Sequence, residues 1–440
     1  MTETVSFCFA AEEKEIEMGE EFFGNEIGVE RVRRPIQRPG WTTCLKERIL
    51  AVLVIPLAFC YYNYMKSTTD DSVVYLIIFV IGMIAYVEAM FWERKRTWES
   101  FVFLGLMIVC TISIDFTIGE VWDLDSKLLF LHLFTVYWIL LRSGCLTEGK
   151  TSHMFMWDGL SAFTVVPFGN FPLIFRTVTS IFAGFKSKDK KKAWITFFSV
   201  AAGLILFFIS MAFLKESDSN FAKMLSIFEI DVDFDFFFDA NIVLFLATYI
   251  YGLIGGCFRK QDAIVERGNV INGLVNRLNK VPSAIWVVFI SLFSVFYITY
   301  FVLQGSYMFD AFAMILPEKF TFSEYARKGF GEMCAVMVIN FALLWLTLRT
   351  AEKKTGPVKV FGGILMGESL IFALIAFLKL FMYIQAYGFT PLRLQSTWLV
   401  VVLSFACICI LISMYTGKKT ARIWFVAGAV SLGALTLVNF

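Results

Sequence analysis

Charge is what this 440-residue chain has least of: 17% of its residues are charged, against about 25% in soluble domains. Histidine is almost missing, with two in the whole chain, so His-rich metal sites and His-based triads are not expected. No P-loop, H-E-x-x-H, G-x-S-x-G or Rossmann glycine fingerprint occurs. Basic and acidic residues nearly cancel to a net +2, and no concentrated basic patch of the kind that binds nucleic acid is present. The nine cysteines avoid the loops assigned below to the outer face and match no zinc spacing, so neither disulfides nor a structural metal is expected. The first thirty residues are acidic and have no apolar core of a cleavable signal peptide. No metal and no cofactor is expected.

What is abundant is oil. Hydrophobic residues make up 58%, with 50 Phe and 11 Trp, and the mean hydropathy is +0.70. Too little polar surface remains to coat water-soluble domains, so the bilayer is the expected environment. A helix needs about 20 apolar residues to cross the hydrocarbon. Eleven stretches qualify or nearly do: 49–65, 73–92, 101–118, 128–141, 194–214, 236–256, 283–303, 330–348, 360–384, 398–415 and 423–440. The fold class is therefore all-α, a polytopic transmembrane helix bundle of about 11 spans. Residues 1–48 form a tail, acidic then basic, and 49–440 a single transmembrane domain.

Lysine and arginine orient it. Thirty of the 39 basic residues fall in the tail and in every second connection, 93–100, 142–193, 257–282, 349–359 and 416–422. By the positive-inside rule these are cytoplasmic, which puts the N-terminus inside and the C-terminus outside. Two stretches fit no simple span. The aromatic segment 157–185, interrupted by Pro167, Gly169 and Pro172, reads as interfacial or re-entrant helices. The acidic, Phe-rich stretch 221–239 reads as a strand or an amphipathic lip, since it lacks the EF-hand pattern.

Ionisable side chains at membrane depth are costly and need a reason. Glu88, Asp115 and Asp239 lie near span ends and are expected to reach the interface; His132 is expected to be a packing histidine. Glu368 and Lys379 are the deepest, eleven residues apart on one helix, which is about 16 Å along its axis. They cannot pair with each other, so each needs a partner helix or water. Gly363 and Gly367 precede Glu368, and Gly252 and Gly256 lie in the sixth span; both spacings suit close helix packing.

Two motifs are expected together on the outer face. PEKFTFSEYARKGFGE, 317–332, contains a capping box, Thr321 with Glu324, that starts a helix and places Tyr325, Lys328, Gly329 and Glu332 on one stripe. YIQAYGFTPLR, 383–393, ends a helix at Gly388 and starts another with Thr390 as cap and Pro391 in its first turn. Arg393 then opposes the dipole of its own helix, so a carboxylate, Glu332 or Glu324, is its expected partner. These motifs, through Tyr325, Ala326, Arg327, Gly329, Phe330, Tyr387, Gly388, Thr390 and Arg393, resemble the bacterial multi-pass membrane family catalogued as domain of unknown function 4173, related to 4153. The resemblance implies a multi-pass protein of the bacterial cytoplasmic membrane and no particular activity.

Three kinds of function fit. A transporter or conduit for a small solute, ion or lipid would use Glu368 and Lys379. A membrane partner in a sensing or envelope-stress assembly would dock a membrane or cytoplasmic protein on the long cytoplasmic segments. An intramembrane enzyme acting on lipid or envelope precursors would use Glu332, Tyr325 and Arg393; it is the least expected of the three.

Overall fold

The structure, a computed structural model, describes residues 43–66, 72–182, 203, 210, 234–259, 281–303, 305, 321–322, 324, 330–352 and 356–439. The expected span 194–214, most of the acidic stretch 221–239, and Tyr325, Arg327, Lys328 and Gly329 lie outside the described residues. Within them the fold is helical, and nine helices are long and apolar enough to cross a membrane. In chain order they are α1 Leu45–Lys66, α2 Ser72–Met90, α3 Trp98–Asp115, α4 Leu124–Ser143, α7 Phe234–Arg259, α8 Ser283–Leu303, α9 Phe330–Thr350, α10 Gly356–Tyr387 and α11 Pro391–Thr416. A shorter apolar helix, α12, covers Ala421–Leu435. Between α4 and α7 lie α5, built from Phe155–Leu160, a π-helical turn Ser161–Val165 and Val166–Gly169, and α6, Leu173–Phe182.

The apolar side chains collect in two cores. One is formed by α1–α7 with Val426 of α12, the other by α8–α11. Helix α12 joins them. Its Ser431 receives the Trp398 indole N–H of α11 at 2.9 Å, its Trp424 donates to Val402 O at 2.9 Å, and Gly433 packs on Leu106 of α3.

Contacts between chain-distant residues sort the helix ends into two sets. At one end Glu47 of α1 meets Arg259 of α7, Glu88 of α2 meets Arg142 of α4 at 2.9 Å, and Glu99 of α3 meets Arg422 of α12. Lys419 reaches Glu148 at 3.3 Å, and Glu352, after α9, donates its N–H to Val281 O, before α8, at 3.0 Å. At the opposite end Lys66 meets Asp239 at 2.5 Å, Glu120 N–H donates to Val438 O at 2.9 Å, and the Gln395 amide donates to Val121 O. Every described connection rich in Lys and Arg is at the first end. The chain leaves the described region after α6 beside Thr43, at the basic end, through the Thr43–Ser180 hydroxyl contact. It returns in α7 with Asp239 at the other.

The three Glu–Arg pairs have a common logic. Glu47, Glu99 and Arg142 are nearly inaccessible. Glu47 and Glu99 sit in first turns, and Arg142 and Arg259 in last turns, so helix dipoles favour each of them. Arg422, in the first turn of α12, is offset by Glu99 and lies over the Trp98 ring at 5.1 Å. Arg142 grips both Glu88 oxygens, at 2.9 and 3.0 Å, while its third nitrogen donates to Arg94 O at 2.9 Å. That fork geometry is what makes a guanidinium the better partner for a buried carboxylate.

The described part of the 157–185 segment, residues 157–182, forms helices that pack alongside α7. Tyr249 donates to Phe163 O at 2.7 Å. A Cβ on Gly252 would stand 2.6 Å from Pro167 O, and Gly256 faces Asn170. Only glycine lets α5 approach this closely. Met156, Leu160 and Phe168 point outward and are exposed, as befits an apolar face turned to lipid.

Because removing one partner of a buried pair strands a charge, Arg422→Ala is expected to destabilise the protein by about 3 kcal/mol or more, read as a lower melting midpoint in detergent. Adding Glu99→Gln should recover at least half of that loss. A single variant as stable as the wild type contradicts this role for the pair.

Candidate functional site

The second core contains a string of polar groups in its middle turns, contributed by three helices. Tyr297 of α8 donates its hydroxyl to the Asn340 amide oxygen of α9 at 2.8 Å. The Asn340 amide nitrogen donates to Ser369 Oγ of α10 at 2.9 Å. Ser369 passes its own proton to Leu365 O at 2.9 Å. These three residues are satisfied, and all are buried. Beside them sits Glu368, 5% exposed. The Ser294 hydroxyl of α8 faces its carboxyl, yet among the described residues neither the two carboxyl oxygens nor that hydroxyl completes a hydrogen bond. Between their end turns α8, α9 and α11 carry no charged side chain. A carboxyl at this depth costs roughly 2.5–3.5 kcal/mol on insertion scales if charged, and buried polar atoms are rarely left unmade without a reason.

Lys379 is also buried, 2% exposed, three turns further along α10. Glu368 and Lys379 are thus at separate levels of one helix, as their spacing requires. The glycines divide. Gly252 and Gly256 admit α5, and Gly363 admits the Tyr415 hydroxyl. Gly367 has nothing within 4 Å of its would-be Cβ, and Gly362, not among the expected positions, is also tight, with Leu344 Cδ1 at 2.8 Å from its would-be Cβ.

Of the first motif the structure describes Thr321, Phe322, Glu324 and residues 330–332, and Phe322 lies beside the second motif. The capping box forms in both directions, Thr321 N–H to the Glu324 carboxyl at 3.0 Å and Glu324 N–H to Thr321 Oγ at 3.3 Å; the Thr321 N–H, with the Thr321 hydroxyl at 2.9 Å, holds the exposed Glu324 carboxyl below its usual range. Phe322 packs edge-on against Tyr387, ring centroids 6.3 Å apart. Gly388 closes α10 with φ +73° and its N–H on Ile384 O at 2.7 Å. Thr390 is the extended N-cap of α11, without a side-chain cap bond, and Pro391 its first residue.

The expected pairing of Arg393 with Glu332 or Glu324 is overturned. Among the described residues Arg393 makes no ion pair, and Glu332 is exposed. Instead Arg393 donates to Tyr387 O at 2.9 Å and Gly388 O at 2.5 Å and lies over the Tyr383 ring at 4.0 Å. The physical reason is the short turn between α10 and α11. It brings the unsatisfied carbonyls and negative dipole end of α10 within reach, and they serve a cation as a carboxylate would.

Of the other membrane-depth groups, Glu88 and Asp239 are paired by Arg142, Arg96 and Lys66. His132 is bonded through both ring nitrogens, to Tyr61 OH at 2.7 Å and Leu128 O at 2.5 Å, which makes it the packing histidine expected. Asp115 differs from expectation. Its two oxygens are buried and unbonded. Ser294, Tyr297, Asn340 and Ser369 were missed because uncharged polar residues do not disturb a hydropathy profile. The available signal was Asn340, the one amide inside the apolar run of α9.

Apolar spans in alternating orientation around two buried cores define a polytopic, all-helical integral membrane protein. More narrowly, the chain belongs to the family of the domain of unknown function DUF4153, whose model matches residues 50–440. That is the related family, and not 4173 itself, to which the two motifs pointed. No curated protein and no solved structure matches the chain.

If the Glu368 carboxyl is not a strut, losing it should cost nothing. Glu368→Leu is expected to raise stability by about 1–3 kcal/mol, as buried charges replaced by apolar side chains often do, whereas Asn340→Leu should lower it by about the same amount by stranding Tyr297 and Ser369. Thermal unfolding in detergent distinguishes the two; a destabilised Glu368→Leu contradicts the assignment.

Proposed function

We propose that the protein is a transporter or conduit for a small solute, ion or lipid in the bacterial cytoplasmic membrane, with its basic end in the cytoplasm. The observation that supports this reading is the Glu368 carboxyl. It is placed mid-bundle among α8, α9 and α10, beside satisfied polar groups, and is itself unsatisfied. Glu47, Glu88 and Glu99 are paired, and Asp115, whose buried oxygens are also unbonded, closes the last turn of α3 and does not sit mid-bundle. A carboxyl kept at such cost and left without a bond is one whose partner arrives and leaves.

A second reading, a membrane partner in a sensing or envelope-stress assembly, draws on the basic end. There hydrogen bonds from Arg94 to Ser143 O and from Glu352 N–H to Val281 O, and the Lys419–Glu148 ion pair, tie the connections to one another, making a surface on which a cytoplasmic or membrane protein could dock. The enzyme reading is weakened by Arg393, whose contacts are taken up by carbonyls and a tyrosine face within its own turn.

Reconstituted into liposomes, the wild-type protein is expected to dissipate an imposed ion or solute gradient. Glu368→Gln should slow this by about tenfold or more, the loss expected for a group used in the rate-determining step. Equal flux through both proteins, or none through either, contradicts a transport role centred on Glu368.

A further inference from the structure

We infer that the species Glu368 takes up and releases is a proton, and not a metal cation. This rests on the transport reading above and specifies its coupling chemistry. The argument is a count of oxygens. A hard metal cation that gives up its hydration shell needs about six oxygen ligands. Among the described side chains beside Glu368, the other oxygens are already engaged. The Asn340 amide oxygen accepts from Tyr297, and Ser369 Oγ accepts from Asn340 and donates to Leu365 O. What remains is the carboxyl itself and the Ser294 hydroxyl. Among the described residues no group of three or more His, Cys, Asp or Glu side chains could hold a metal ion. Three oxygens, two from the carboxyl and one from the hydroxyl, are too few for a dehydrated metal ion. They suit a proton, which needs one carboxylate oxygen to bind and one acceptor for the O–H that results. Protonation of Glu368 forms one O–H bond and cancels the negative charge, and the new O–H can donate to Ser294 Oγ.

The described groups around Glu368 offer no alternative neutralisation. From α8 the titratable group facing Glu368 is Tyr297, whose proton is engaged by Asn340. Within the span, α9 contributes the buried Cys334, and α11 the buried Cys407 and Cys409. The ionic residues of these helices, Glu332, Arg349 and Arg393, are confined to their end turns. On α10 itself Lys379 is about 16 Å further along the axis, too far for its ammonium to serve as counter-ion.

The inference is tested by dicyclohexylcarbodiimide, an apolar reagent that adds to a carboxyl only when its proton is present. The full-length wild-type protein is labelled in liposomes over a range of pH, with and without excess Na⁺, K⁺ or Ca²⁺, and the modified residue is located by peptide mass mapping. The expected result is a label on Glu368 that falls about tenfold per pH unit above a single titration point and is the same with and without each cation. Protection by any of the three cations at fixed pH overturns the proton assignment while leaving transport standing. Absence of label at Glu368 across the whole pH range also overturns it. A pH-dependent, cation-insensitive label in a protein that moves nothing across the bilayer supports the proton site and refutes the transport reading, so the two failures are distinct.

Discussion

The cost of placing charge in hydrocarbon governs this molecule. With so few charged residues, most of those in or near a span have a visible solution, Asp115 and Glu368 being exceptions among the described residues. Glutamates and arginines in the end turns of helices pair across α1 and α7, α2 and α4, and α3 and α12. Lysine or arginine without a carboxylate turns to carbonyls. Lys127 donates to Ile118 O and Gly119 O at 2.8 and 2.7 Å, as Arg393 does to the end of α10. The same solution at two separate turns shows how this fold satisfies cations next to helix C-termini.

Against that pattern Glu368 stands out through the chemistry of its neighbours. The Tyr297–Asn340–Ser369 string pins α8, α9 and α10 together through groups that are fully engaged. It fixes where the carboxyl sits without satisfying it. A rigid, satisfied frame beside an unsatisfied group is the arrangement in which a small change of protonation can shift the packing of neighbouring helices, since the frame carries no slack of its own.

Much of the fold was legible because hydropathy, caps and basic-residue placement are local properties. Gly388, Thr390 and Pro391 marked the α10–α11 turn to the residue, and the Thr321–Glu324 box formed as written. The 157–185 segment was recognisable as something other than a span from its prolines and glycines, while its seat against Gly252 and Gly256 needed three dimensions. The site was half legible. Glu368 is visible in any sequence as an acid in an oily run. Its polar neighbours are separated from it by up to 74 positions, from Ser294 to Glu368, and single Ser, Tyr or Asn residues in a span carry no pattern. The Arg393 expectation failed for a related reason. Sequence shows which charges exist, and a turn geometry decides whether a carbonyl is closer than a carboxylate.

All of this depends on the chain threading the bilayer so that every second connection lies on the same side. In a background without native cysteines, Lys95→Cys, Lys418→Cys, Glu120→Cys and Phe389→Cys place single thiols at exposed positions of the two ends. With a membrane-impermeant maleimide on intact cells, the thiols at 120 and 389 should react, and those at 95 and 418 only after lysis. Reaction of 95 and 389 from the same side would contradict the account.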